Sequence, residues 1–253
     1  GSANTAVGYQ ALSSSTAASN YTAIGYQALA SAISGTGSTA VGFQALASNI
    51  VGSENTAVGF LALSLNTTGS QNTAFGSQVL QVCTTGSNNT AIGRLAMTKL
   101  TSGSGNVALG TNAMLNNTTG GNNIVIGLNT FNGPVGGDNN VAIGGGALNV
   151  VGTSVSDCVA VGVGALQLNK SNQQVAVGSR ALTTNYSGSA NVAVGYQALR
   201  LNVSGSNNVA VGTNALSASL SSDNTAIGTS TLALNTTGTA STAVGSGALA
   251  SNV

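Results

Sequence analysis

The side chains of this sequence best equipped to act on a substrate or hold a metal are four carboxylates and two thiols: Glu54, Asp138, Asp157, Asp223, Cys83 and Cys158. Acid–base catalysis or cation binding needs such groups to converge on one point. Only Asp138 and Asp157 fall at nearly equivalent turn positions of adjacent sequence repeats, and two solvated turn residues account for them without a site. The sequence contains no His, no nucleophile elbow and no metal-ligand spacing. No catalytic or metal-binding residue is therefore assigned, no cofactor is implied and no enzyme activity is expected. The aromatic residues Tyr9, Tyr26, Phe43 and Phe60 are more suggestive, because they recur at one equal interval. Brought into one column, they would form a strip on which sugar rings could stack. They are the candidate ligand-binding residues, although a ladder that merely supports a turn or an oligomer explains them more simply.

What must position these residues is a repeat. The phrase Asn55-Thr-Ala-Val-Gly-Phe-Leu-Ala-Leu63 recurs in altered form fifteen times, each copy anchored on a glycine between Gly8 and Gly245. The interval from one anchor to the next is nearly constant and slips by no more than one position. A fixed period of this length marks a repeat architecture. Counted from the anchor, the third residue before it is Thr, Val or Ile in every copy. The second before is Ala in all but one copy (Val125), and the residue just before is apolar. Three residues after the anchor Ala dominates, and four after it stands Leu, or Met97, Met114 and Phe131. β-branched enrichment in short runs bounded by turn residues indicates strands. A 17-residue rung suits two short strands and their turns. The fold class expected is all-β, a parallel β-solenoid of about fifteen 17-residue rungs forming one domain over residues 1–253. At about 4.8 Å per stacked strand it would extend to about 70 Å.

Alternation along a strand puts the Thr/Val and Val/Ile positions on one face and Ala on the other. Packing bulk inward predicts that the β-branched columns fill the coil, leaving the Ala columns outside as a small-residue apolar stripe for close association with identical chains. Asn precedes the β-branched position in ten copies, and Asn-Thr-Thr-Gly turns recur at Gly69, Gly120 and Gly238. Both residue types suit left-handed turn conformations, and stacked Asn side chains can hydrogen-bond along the axis. The single proline, Pro134, falls in a turn region. The spacing slips around Val150–Asp157 and Lys170–Gln174 should be absorbed by turns. Cys83 and Cys158 lie five rungs apart, roughly 24 Å at the stacking distance of strands and well beyond the ~7 Å Cα limit of a disulfide. They read as free, partly buried thiols.

Composition closes other routes. Nine charged residues and a net charge of +1 leave no clustered Lys and Arg to neutralise phosphates, so no nucleic-acid partner is expected. No apolar run approaches the ~20 residues of a transmembrane helix. The hydrophobic fraction of 42%, arranged in fixed columns, opposes disorder. No secretion signal is evident, and the repeat runs to both ends without a polar cap, which leads us to expect a segment of a longer fibre protein.

The nonapeptide pattern Asn-Thr-Ala-Val-Gly-Tyr-Gln-Ala-Leu, seen at Asn191–Leu199 with Val for Thr, is followed elsewhere by Asn-Thr-Thr-Gly. It resembles repeats of phage and viral tail-fibre-like proteins. The core Val141–Gly144 is similar to the head repeat of trimeric autotransporter adhesins (YadA-like heads), whose period is shorter. The resemblance covers nearly the whole chain. It implies a left-handed β-roll, a homotrimer, an extracellular place on a cell surface or virion fibre, and attachment to a host or prey cell through a surface glycan or protein receptor. Against the resemblance stand two alternatives. One is a carbohydrate-binding module built on the aromatic column. The other is an ice-binding solenoid, because the Thr column has the regularity of an ice-binding ladder. Seven copies, however, replace that Thr by Val or Ile, and a position that accepts either by shape is expected to pack inward rather than order water.

Overall fold

The computed structural model describes residues 1–133, 136–149 and 153–252. Pro134 and residues 150–152 of the first slip region lie outside them. Among the described residues there is no helix, and the chain is a parallel β-solenoid that advances one rung with each sequence repeat. It divides into two compact units, Gly1–Val125 and Ile126–Val253.

In the first unit, β1 (Thr5–Val7), β2 (Thr22–Ile24), β3 (Thr39–Val41), β4 (Thr56–Val58), β5 (Thr73–Phe75), β6 (Thr90–Ile92) and β7 (Val107–Leu109) each supply three residues. Each pairs in parallel with the next, equivalent residue against equivalent residue. The unit boundary falls within β8 (Ile124–Ile126).

The second unit repeats the arrangement with β9 (Val141–Ile143), β10 (Val159–Val161), β12 (Val175–Val177), β14 (Val192–Val194), β15 (Val209–Val211), β16 (Thr225–Ile227) and β17 (Thr242–Val244). The length slips leave this ladder in register: Val141 faces Val159, Val159 faces Val175 and Val209 faces Thr225. Extra or missing residues are therefore absorbed in the turns. A second ladder, β11 (Leu168–Asn169) against β13 (Thr184–Asn185), is the only strand pairing on the far side of the coil among the described residues.

Elsewhere the far side is stacked turns, not the expected second strand. The Leu, Met or Phe four residues after each anchor has left-handed φ, as at Leu46 (51°), Leu63 (51°), Met97 (50°) and Phe131 (48°). Such a conformation is unusual for a branched side chain. It breaks strand alternation, so Ala and Leu that are adjacent in sequence both point inward: Ala45 with Leu46 and Ala62 with Leu63 are fully buried. Hydrogen bonds to the next rung hold these turns, with Leu46 N donating to Ala62 O at 3.0 Å and Leu63 N to Val79 O at 2.9 Å.

The facing of the strands is the reverse of the sequence expectation. Ala23, Ala40, Ala57, Ala74 and Ala91 are completely buried, whereas Val7 is 57% and Phe75 55% exposed. The reason is the thinness of the coil. Each Leu already fills the space between its turn and the opposite strand, and what remains accommodates a methyl group. Close packing then favours Ala on the strand wall, with buried Val125 the one larger residue in this column. The β-branched columns are left outside, where they suit the pleated surface. The anchor glycine answers the same constraint. At Gly59 φ is +134°, and an added Cβ would meet the carbonyl of Gly76 in the next rung.

Candidate functional surface

The interior carries two buried polar columns, one through Asn49 and Asn66 and one just before the strands. Asn55, Asn72, Asn89, Asn106 and Asn123 are buried and form the ladder expected from their spacing. Asn72 Nδ2 donates to Asn55 Oδ1 (3.1 Å) and to Gly86 O (2.8 Å), and its Oδ1 accepts from Asn89 N (3.0 Å) and Asn89 Nδ2 (3.1 Å). Burial without partners would be costly; from Asn55 to Asn123 each rung supplies them to the next. In the second unit Gln174 occupies the same column, and its Nε2 donates to Gly188 O at 2.9 Å. Tyr21 also takes this position, 1% exposed, its hydroxyl donating to Ser34 O at 3.2 Å. The sequence pattern gave no warning of a buried tyrosine there.

Both thiols are free and buried. Cys158 stands in the Asn column and Cys83 in the column of Asn49 and Asn66, with its Sγ 3.8 Å from Gly86 O. Burial pushes each thiol up to about 11 from the ordinary 9.0. A thiol so protonated is inert as a nucleophile, so the two cysteines act as packing residues.

The carboxylates bond to neighbouring turn amides. Glu54 accepts from Gln71 Nε2 at 3.1 Å, Asp157 from Asn139 Nδ2 at 3.2 Å and Asp223 from Asn207 Nδ2 at 3.0 Å. Asp138 and Asp157 do lie on adjacent rungs, joined through Asp157 N and Asp138 O at 3.1 Å. No group of three potential metal ligands gathers and no enclosed pocket opens among the described residues. What the molecule offers is surface.

Two features of that surface are ordered. The first is the aromatic column. Tyr9, Tyr26, Phe43 and Phe60 are all exposed and stack in sequence, ring centroids 5.3, 5.1 and 5.3 Å apart and planes within 17° of parallel. The spacing brings the four together as the sequence anticipated. Beside them Gln10, Gln27 and Gln44 form an amide ladder at 2.8 Å. Each inner ring, however, has a ring against both of its faces. A sugar stacks on an open face, and this column presents mainly edges and hydroxyls between its two ends.

The second feature is the outer face of the strand ladder. From β1 to β6 it carries Thr beside Val, Ile or Phe. From β9 to β15 it carries Val beside Val or Ile: Val141 and Ile143, Val159 and Val161, Val175 and Val177, Val192 and Val194, Val209 and Val211. None of these ten side chains is buried. The signal for this face was present in the Thr/Val interchange, which an exposed β position tolerates as readily as a buried one.

Compared with known proteins, the chain matches no protein-family model and no curated protein.

Proposed function

We propose that the chain is a structural segment of an extracellular fibre, on a cell surface or virion, that associates with copies of itself through the outward Val/Ile face of β9 to β15. The observation that carries this reading is that double row of ten unburied apolar side chains, uninterrupted by a charge. A contiguous apolar patch of such regularity marks an interaction surface, and a repeated, self-similar face is most simply met by an identical chain related by rotation. Three copies is the number implied by the resemblance to adhesin heads.

The rest of the molecule suits a mechanical role. Within each unit, successive rungs are tied by backbone hydrogen bonds and by buried Asn side chains, which suits them to bear load along the axis. Attachment to a host or prey cell, through a surface glycan or a protein receptor, would then draw on avidity from several parallel copies.

Light scattering tests the self-association. A mass near three times the 24.3 kDa of one chain is expected, falling to that of a monomer when Val175 and Val192 are both replaced by Lys. A native chain that stays monomeric at high concentration sinks the proposal.

A further inference from the structure

We propose that the Thr-bearing outer face of β1 to β6 binds ice. Thr5, Thr22, Thr39, Thr56, Thr73 and Thr90 stand opposite one another from rung to rung without a break in register. All six are at least partly exposed, which removes the reason for expecting this column to pack inward. No protein group among the described residues takes their hydroxyls. Threonines of a neighbouring column behave differently: Thr67, Thr84 and Thr101 each donate Oγ1 to a carbonyl of the next rung, at 3.0, 3.2 and 2.8 Å. The six outward hydroxyls are thus reserved for whatever meets the face.

Their arrangement selects the ligand. Parallel pairing repeats the hydroxyls at about 4.8 Å between rungs, and each faces an apolar neighbour about 6.6 Å along its strand. Val7, Ile24, Val41, Val58, Phe75 and Ile92 supply that second row. Threonine is stiff at χ1, and the backbone beneath is bonded to both adjoining rungs. The result is a two-dimensional array of hydroxyls beside apolar side chains, methyl-bearing except at Phe75, with Glu54, Arg94 and Lys99 all outside its two columns.

Ice presents a two-dimensional repeat of hydrogen-bonding sites, which a small dissolved ligand does not. A preorganised array holds water in place with little further loss of freedom. A dry contact with another copy would have to find new partners for six hydroxyls, which an ice surface supplies directly. These rungs are distinct from β9 to β15, whose Val/Ile side chains are assigned to self-association.

The experiment measures thermal hysteresis and partition into slowly growing ice for the full chain. Measurable hysteresis and enrichment in ice are expected. Replacing Thr39 and Thr56 by Lys should reduce both to the level of a control protein at equal concentration, with the β-sheet circular dichroism retained. The pair Thr39→Val and Thr56→Val places at these positions the residue that the column itself carries at Val107, and should lower hysteresis with the fold retained. Replacing Val175 and Val192 by Lys should change the solution mass and leave hysteresis intact, which separates this proposal from self-association. Absence of hysteresis and of ice enrichment in the folded native chain overturns the proposal. So does activity unaffected by the Thr39 and Thr56 changes, or retention on crystalline cellulose or chitin in place of ice.

Discussion

Replacing Asn72 by Ala tests whether the buried amide ladder, and not hydrophobic burial alone, sets the stability of the coil. Asn72 is 1% exposed. Its loss would remove the bond from its Nδ2 to Gly86 O (2.8 Å) and the bond from Asn89 N to its Oδ1 (3.0 Å). Two other partners are covered, because Asn55 Oδ1 still accepts from the backbone N of residue 72 and Asn89 Nδ2 still donates to Gly103 O. Asn89 N is thus orphaned, and Gly86 O keeps only its long contact with the Cys83 thiol at 3.8 Å; at about 1–3 kcal/mol each, the total is about 4 kcal/mol. With a urea m-value of about 3 kcal/mol per M, the unfolding midpoint should fall by a little more than 1 M. Circular dichroism and tyrosine fluorescence should be followed together, since coincident curves show that the coil unfolds as a unit. Asn72→Gln should cost less, because Gln174 already fills this column with its bonds made. If Asn72→Ala stays within about 0.5 kcal/mol of the native chain, the range of an ordinary surface change, the ladder is not the stabilising element and the reasoning fails.

Ala74→Val should destabilise by about 1–3 kcal/mol by overpacking the coil. In contrast, Val58→Thr, on an outward position, should change the stability of the isolated chain by less than about 0.5 kcal/mol; denaturant titration checks both. Gly59→Ala should cost about 3 kcal/mol or more, or prevent folding, because φ is +134° and the Gly76 carbonyl occupies the Cβ site. Since both thiols are raised from 9.0 to about 11 in the folded chain, the folded state holds its thiol protons where the unfolded state loses them. Stability from this source is intact below pH 9.0 and is lost progressively as pH rises to about 11. Alkylation at neutral pH should follow unfolding, and prompt labelling of the native chain would contradict the burial. Tyr26→Ala with Phe43→Ala should lower thermal stability by breaking the stack, and a glycan array decides its second reading: sugar binding that vanishes in this variant would assign the column to a carbohydrate.

The period, the strands and the ladders were legible in the sequence because each rests on a local rule. β-branched residues at fixed spacing specify strands, a short constant repeat specifies stacking, and Asn at one column specifies a hydrogen-bond line along the axis. Likewise the meeting of Tyr9, Tyr26, Phe43 and Phe60 followed from spacing alone. Facing did not. Alternation divides Thr56 and Val58 from Ala57, but which set lies inside depends on the width of the coil. That width is set by the left-handed turn that carries Leu63, and no residue preference announces positive φ for a leucine. The structure decided it: Ala57 is buried because the opposite Leu leaves room for one methyl group. The face presented to other molecules is therefore largely β-branched, with threonine hydroxyls from β1 to β6 and apolar side chains from β9 to β15.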